Sequence, residues 1–388
     1  MALANVNIEL VRNGLGLVSK TTDNVCGICL TGVAVSGKLV LNTPYAIYST
    51  DDAIALGIES TGVNVDAWRH IAEFYSVAGK GRKLWIIVAA NTVKLSEMVD
   101  GTIAGCVGKT MLNTAHGEIS VLGITRTPPV GYTQTTLDAL DADVYTAMTK
   151  AQLLADEFGA KIMPFVAIIE GHGLTGDGSL LRDLNTESKY RVAIALCNTQ
   201  SDKSASVGLV LGQLAALPVQ RKVSRVKNGA LPILGGFLSD GLTVDDREDK
   251  LGTINDKRYI ILRKFPNKSG YWFNGDFTAT SSTDDLNIIA RIRTIDKAMK
   301  IAYNTYVDEL DDDVETNDDG TLNVAIAAYL KQKIENQINV SMQGEISKFV
   351  ATVDTTININ VDAQKIYLDI TPKGYLNPIK VVLGFKNS

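Results

Sequence analysis

The sequence predicts an α/β domain with a mainly parallel sheet, then an α+β C-terminal domain, with an extended strand arm at each terminus. Three observations lead there. Between residues 24 and 250, short apolar runs alternate with amphipathic stretches of helical period, the pattern of parallel strands joined by helices that cover both faces of a sheet. The segment DDREDKLGTINDKRYIILRKFPNKSG then clusters charge before a new strand at Tyr259 to Arg263. The first and last runs of the chain alternate apolar with polar residues and stand beside glycines. A chain of 388 residues exceeds one ordinary hydrophobic core. The expected divisions are an N-terminal arm over 1–20, the α/β domain over 21–254, the α+β domain over 255–372 and a C-terminal strand arm over 373–388.

In chain order, Val6, Ile8 and Leu10 share one face of a strand while Asn5, Asn7 and Glu9 share the other, and Gly14 and Gly16 form a hinge after it. Leu84 to Ala90, Ile119 to Ile124, Lys161 to Ile169 and Tyr190 to Cys197 read as strands, with helices at about 66–78, 141–158 and 203–216. Tyr271 and Phe273 alternate with Trp272 and Asn274 in an aromatic strand punctuated by turns at Gly275-Asp276 and Ser281-Ser282. A long helix follows over 284–310, with Asp284 and Asp285 placed at its N-terminus, where negative charge is favoured. A second helix is expected from Leu322 to Ile338, and the tail from Glu345 to Asn387 is strand-rich. In its last run Ile379, Val381, Leu383 and Phe385 face one way, and Lys380 and Lys386 the other. Gly374 before it and Pro378 near its start suit a mobile edge strand.

The 284–310 helix carries an apolar stripe of Ile288, Ile292, Ile295, Met299, Ala302 and Tyr306, with Arg293, Lys297 and Lys300 on the opposite side. Those cations stand at i, i+4 and i+7, where like charges weaken a helix by roughly 0.2–0.5 kcal/mol per adjacent pair. Two readings fit. Either the face is solvated, with Asp296 relieving Lys300 across one turn, or the stripe is offered to an acidic partner.

The motifs that could carry chemistry are incomplete. GCVGKT at 105–110 imitates a phosphate-binding loop, but the required spacing places a glycine at 103, where the chain has Ile103. GHGLTG at 171–176 satisfies GxGxxG after a strand, yet Asp177, Gly178 and Ser179 continue the loop and no acid ends the next strand at Asn198. ETNDDG at 315–320 begins like a calcium loop, but Ile326 stands at the twelfth position in place of glutamate. Cys26 and Cys29 form a CxxC in an apolar strand, where residues three apart point to opposite faces, so buried unpaired thiols are expected. His70, His116 and His172 are isolated in sequence. No catalytic, cofactor or metal residue is therefore assigned. A net charge of −5 gives no basic field for nucleic acid. MALANVNIELVRNG lacks a signal-peptide pattern, and LWIIVAA and MPFVAII fall short of a membrane span, so synthesis and folding in a cytoplasm are expected.

The order glycine, aromatic strand, small polar turn, then Arg291 to Asp296 in an RxRTxD arrangement leading into a long helix, resembles the C-terminal domain of contractile tail sheath proteins of bacteriophages and phage-derived injection particles. KSASVGLVLGQLAALPVQRKVSRVKNGAL at 203–231 is similar to the sheath segment where a helix rich in small residues leads into a proline and a strand. The resemblance implies an outer α/β domain and a core C-terminal domain. It also implies a subunit without enzymatic activity or cofactor, polymerising around an inner tail tube and contracting to drive that tube through an envelope. Its partners are then further copies of itself, the tube protein, and baseplate and tail terminator proteins. Its location is the virion tail or injection particle, after assembly in a bacterial cytoplasm. The arms at Val6, Ile8 and Leu10 and at Ile379, Val381, Leu383 and Phe385 are implied to join a neighbour's sheet, and Arg293, Lys297 and Lys300 to face the inner tube. The rival reading is a cytosolic α/β enzyme binding a nucleotide or flavin, a class that strand-helix alternation alone permits.

Overall fold

The computed structural model describes residues 23–381. Among these, residues 23–300 with 372–381 form one compact unit and residues 301–371 another. The first is built on six strands: β1 (Cys26–Gly32), β2 (Tyr45–Ile47), β3 (Leu84–Ala90), β4 (Val121–Ile124), β5 (Val166–Glu170) and β6 (Val192–Ala195). Their order is β2-β3-β1-β4-β5-β6. β2 runs antiparallel to β3 and the remaining neighbours are parallel, with Cys26 opposite both Leu84 and Val121. β1, β4, β5 and β6 are buried along their whole length. That is why they read as continuous apolar runs: a strand covered on both faces has no polar side.

Helices α1 (Thr50–Ala55), α2 (Val65–Ala78), α3 (Leu95–Val99), α4 (Val107–Thr114), α5 (Ala142–Ala160) and α6 (Val207–Ala216) supply the cover. α3, α4 and α5 close over Cys29, Ile87, Ile124 and Ile169, while α1, α2 and α6 close over Cys26, Ile28, Ile86 and Ile168. The two cysteines thus belong to opposite layers, as their spacing on a strand implied. α2 and α6 approach very closely, because a Cβ on Gly208 would lie 2.0 Å from the His70 carbonyl and one on Gly212 2.6 Å from that of Phe74. The small residues of the 203–216 segment serve this contact.

Beyond α6 come α7 (Glu248–Asp256) and an antiparallel hairpin of β7 (Leu262–Phe265) and β8 (Lys268–Phe273). Ile260 extends the sheet, donating to Ile194 O at 3.0 Å and accepting from Leu196 N at 2.8 Å. Composition changes at 254/255, but Ile260, Leu262, Phe273, Ile289 and Ile292 join the core under the sheet. Compactness therefore keeps residues 255–300 with the sheet. The strand expected from Lys161 begins only at Val166, since α5 runs to Ala160 and Ile162 takes a positive φ of 58°.

Helix α8 (Ile289–Tyr306) carries the chain past the division at Lys300. In the second unit α9 (Val324–Ser341) starts at Asn323, whose side chain accepts from Ala325 N at 2.8 Å. α9 packs on β9 (Ile346–Val353), which pairs with β10 (Ile366–Pro372).

Candidate functional site: the α8 charge network and the C-terminal strands

The N-terminus of α8 is capped by Asp276, not by Asp284 and Asp285. The Asp276 backbone carbonyl accepts from Ile289 N at 2.8 Å and its carboxylate from Ala290 N at 3.1 Å, while Asp284 folds back to accept from Leu286 N. The physical reason is tertiary. Asp276 is fully buried beside Lys222, 3.6 Å away, and a carboxylate in that position satisfies amides that water cannot reach. Burial pushes this carboxyl above the ordinary aspartate range.

The cation stripe of α8 is turned inward. Arg293 donates through Nη2 to Asn24 Oδ1 at 2.7 Å and to the carbonyls of Asp23 and Leu217, and only 3% of it is exposed. Lys297 pairs with Asp23 at 2.6 Å, and Lys300 donates to the Gly117 carbonyl at 2.8 Å. Burial lowers Lys300 below its ordinary range although Asp296 favours its charge, and the Asp296 carboxylate is committed elsewhere. It takes both Nη atoms of Arg191 at 2.8 and 2.9 Å, a buried bidentate pair. Neither reading of an exposed stripe describes these side chains, because carbonyls and acids from elsewhere in the same unit already hold them. Of the expected apolar face, Ile288 and Ile292 are buried, whereas Ile295 is 39% exposed.

Two of the sequence-isolated histidines converge. Glu170, fully buried at the C-terminal end of β5, accepts from Thr125 Oγ1 at 2.7 Å, Arg126 N at 2.8 Å and Ala205 N at 3.1 Å. His172 Nδ1 lies 3.5 Å from it, and His70 Nε2 lies 3.0 Å from Thr125 Oγ1. Burial works to raise the Glu170 carboxyl, but His172, His70 and Thr125 outweigh it and hold the group below its ordinary range. Burial, aided by Arg69, pushes His70 down to about 3. Nearby, Glu73 accepts from Thr199 and Ser206 hydroxyls, and Arg69 pairs with Asp202 at 3.0 Å. This network ties α2, β4, β5 and the 198–206 loop together. Only the strand-end position of Glu170 could have hinted at it, since its members come from four distant segments.

The other motif residues have structural partners. Lys109 pairs with Glu157 and donates to the Gly101 carbonyl, and a Cβ on Gly108 would meet the Met98 carbonyl at 2.7 Å, so GCVGKT seats α4 against α3. In GHGLTG, Gly173 donates to the Lys203 carbonyl and Leu174 is buried. In ETNDDG, the Asp319 carboxylate accepts from Thr321 N and Oγ1, closing a turn. His116 follows α4 at a positive φ of 46°. Burial pushes the Cys26 thiol up to about 12. Among the described residues, no group of three or more His, Cys, Asp or Glu is arranged to hold a metal ion, and no helix is long and apolar enough to cross a membrane.

Of the proposed arms, Val6, Ile8, Leu10, Leu383 and Phe385 lie outside the described residues. Ile379 and Val381 are 70% and 72% exposed and take part in no strand. The root of that segment is held: Tyr375 Oη donates to the Gln220 carbonyl at 2.6 Å, with Lys222 5.4 Å above its ring. Residues 373–379 thereby form one wall of a groove of about 730 Å³, whose other walls are residues 220–227 and the β7–β8 hairpin. In the second unit β9 and β10 pair with each other.

The chain matches the DUF2586 N-terminal domain over residues 3–276 and the DUF2586 C-terminal domain over residues 285–388. It belongs to the DUF2586 family. No curated protein sequence matches this DUF2586 chain. Solved structures do. The helical sheath of the anti-feeding prophage in its contracted state aligns over 100% of both chains, with a TM-score of 0.66 at 13% identity. The sheath complex of the PVC extracellular contractile injection system, also contracted, aligns over 99% of this chain and 98% of the other, with a TM-score of 0.61 at 12% identity. The sheath tail protein of Listeria innocua covers 89% and 92%, with a TM-score of 0.53 at 10% identity. The DUF2586 chain therefore has the fold of contractile sheath proteins.

Proposed function

We propose that this DUF2586 chain is the structural subunit of a contractile sheath, polymerising into a helical tube around an inner tail tube and shortening once to drive it through an envelope. The observation that carries the reading is the end-to-end likeness to a contracted helical sheath, which spans both units and leaves no part of either chain over. A subunit repeated head to tail without closure makes such an open helix. The arms around Val6, Ile8 and Leu10 and around Ile379, Val381, Leu383 and Phe385 add strands to neighbouring copies, and the β9–β10 pair is the acceptor. The 284–310 helix approaches the tube with its uncovered positions, such as Ile295. The base of the sheath meets a baseplate and its far end a tail terminator, in a virion tail or injection particle assembled in a bacterial cytoplasm.

No catalysis or cofactor enters this mechanism. Contraction draws on free energy stored in the packing between subunits of a metastable tube. The Glu170 network serves as a scaffold, because backbone amides and hydroxyls of the same unit already occupy its carboxylate. Electron microscopy of the purified protein tests the reading. Tubes or stacked rings are expected. A monodisperse monomer that saturably binds ATP, NAD or a flavin at micromolar concentration would overturn it in favour of an enzyme.

A further inference from the structure

The groove beside Tyr375 is lined by Arg221, Lys222, Arg225, Lys227, Arg263 and Lys373, and among the described residues no carboxylate lines it. Lys222 answers Asp276 below it. Arg225 reaches only the amide oxygen of Asn228, and Arg263 lies over the Phe265 ring at 4.2 Å. Arg221, Arg225, Lys227, Arg263 and Lys373 have no ion-pair partner among the described residues. Phe265 and Phe273 line the groove alongside them. A concave surface with unpaired cations beside apolar area focuses its field on an acidic, partly apolar occupant.

The chain itself contains a segment of that chemistry. Residues 308–319, DELDDDVETNDD, hold eight carboxylates in twelve positions, no cation, and the apolar Leu310 and Val314. Glu309 is engaged by Lys333, and Asp319 is used in its turn. Asp311, Asp312, Asp313, Glu315 and Asp318 are exposed and have no cation partner among the described residues. Leu310 is also exposed.

We propose that the groove receives residues 308–319 of a second copy of this chain. Two different patches then meet, so each copy offers a segment to one neighbour and a groove to another, a heterologous contact that propagates along a polymer. The contact rests on the reading of the chain as a polymerising subunit. It places an electrostatic joint, reversible in salt, beside the root of the C-terminal arm at Tyr375.

The test uses the full chain and a fluorescent peptide spanning residues 308–319, followed by anisotropy. Saturable binding is expected, weakened about tenfold or more when salt is raised from about 50 to about 300 mM. The triple variant R221E/R225E/K227E is expected to weaken it to a similar degree, as is a peptide with Asp311, Asp312, Asp313 and Glu315 changed to their amides. Binding that ignores the triple variant, or no binding at all, overturns the proposal. Equally tight binding of a polyglutamate of the same length overturns the commitment to a second copy and leaves another acidic partner as occupant. Should the triple variant misfold by circular dichroism, the variant D311K/D312K/D313K makes the same test from the other side. For assembly, either reversal alone is expected to impair sedimentation into tubes and the two together to restore it. Tubes formed equally well by every variant overturn this contact but leave the sheath reading standing, whereas peptide binding by a wild-type chain that never forms tubes does the reverse.

Discussion

The six-stranded sheet and the β9–β10 pair represent opposite ways of using a strand. Every residue of β1 is buried and its edges are taken by β3 and β4, whereas no residue of β10 is fully buried. The sheet is complete within one chain. A two-stranded pair is marginal alone, and this one leans on α9, through Ile334, Ile338 and Ala351 and a bond from Ala351 N to Glu335 at 3.1 Å. The difference locates where the chain spends its apolar surface: the sheet consumes it internally, while Val361, Tyr367 in β10, and Ile379 and Val381 after it remain exposed.

The largest effect should come from removing the proposed arms. Deleting residues 1–12, or truncating after Pro372, should abolish tube formation while circular dichroism still reports a folded α/β unit. Full-length tubes from either truncation would mean that the subunits are joined through their domain surfaces. The sheet unit should break from within instead. Gly208→Val forces side-chain atoms into the His70 carbonyl, and overpacking of this kind costs about 3 kcal/mol or more. Denaturation in urea measures it, and a loss under about 1 kcal/mol would show that α2 and α6 can separate.

Breaking the α8 network comes next. Asp296→Ala strands the Arg191 guanidinium, with an expected loss of about 3 kcal/mol, and the double change Arg191→Met with Asp296→Leu should recover most of it. A smaller effect follows pH. The folded pKa of His70, about 3, lies below its ordinary 6.5, so between these values the unfolded chain binds more protons. Its contribution to stability is complete above about pH 6.5 and is lost as pH falls toward 3. Arg69, Glu73, Glu170 and Asp202 surround it. His70→Asn should flatten the fall in urea midpoint between pH 7 and pH 5, and an unchanged slope would assign the acid sensitivity to other groups. Smallest in stability are Ile379→Ser and Val381→Ser, within about 0.5 kcal/mol for the monomer because both are exposed. Their sharper readout is slower tube growth.

Strand-helix alternation, the two layers served by Cys26 and Cys29, and the failed phosphate and dinucleotide spacings were legible in the sequence, because period and local spacing are properties of neighbouring residues. The aromatic strand and the long helix after it were legible for the same reason, the helix boundary less so, since the cap came from Asp276, thirteen positions before the first helical residue. The direction of the α8 cations was not legible. A helical wheel shows that Arg293, Lys297 and Lys300 share a side, but only the folded chain brings Asp23, Leu217 and Gly117 to that side. The same holds for Glu170 with Thr125 and His70, and for the cationic groove that residues 220–227 and 373–379 build together. Charge carries no periodic signature of its partner. Where a partner lies a hundred or more residues away, its identity is decided by which surfaces the hydrophobic core forces together, and by nothing local to the charge itself.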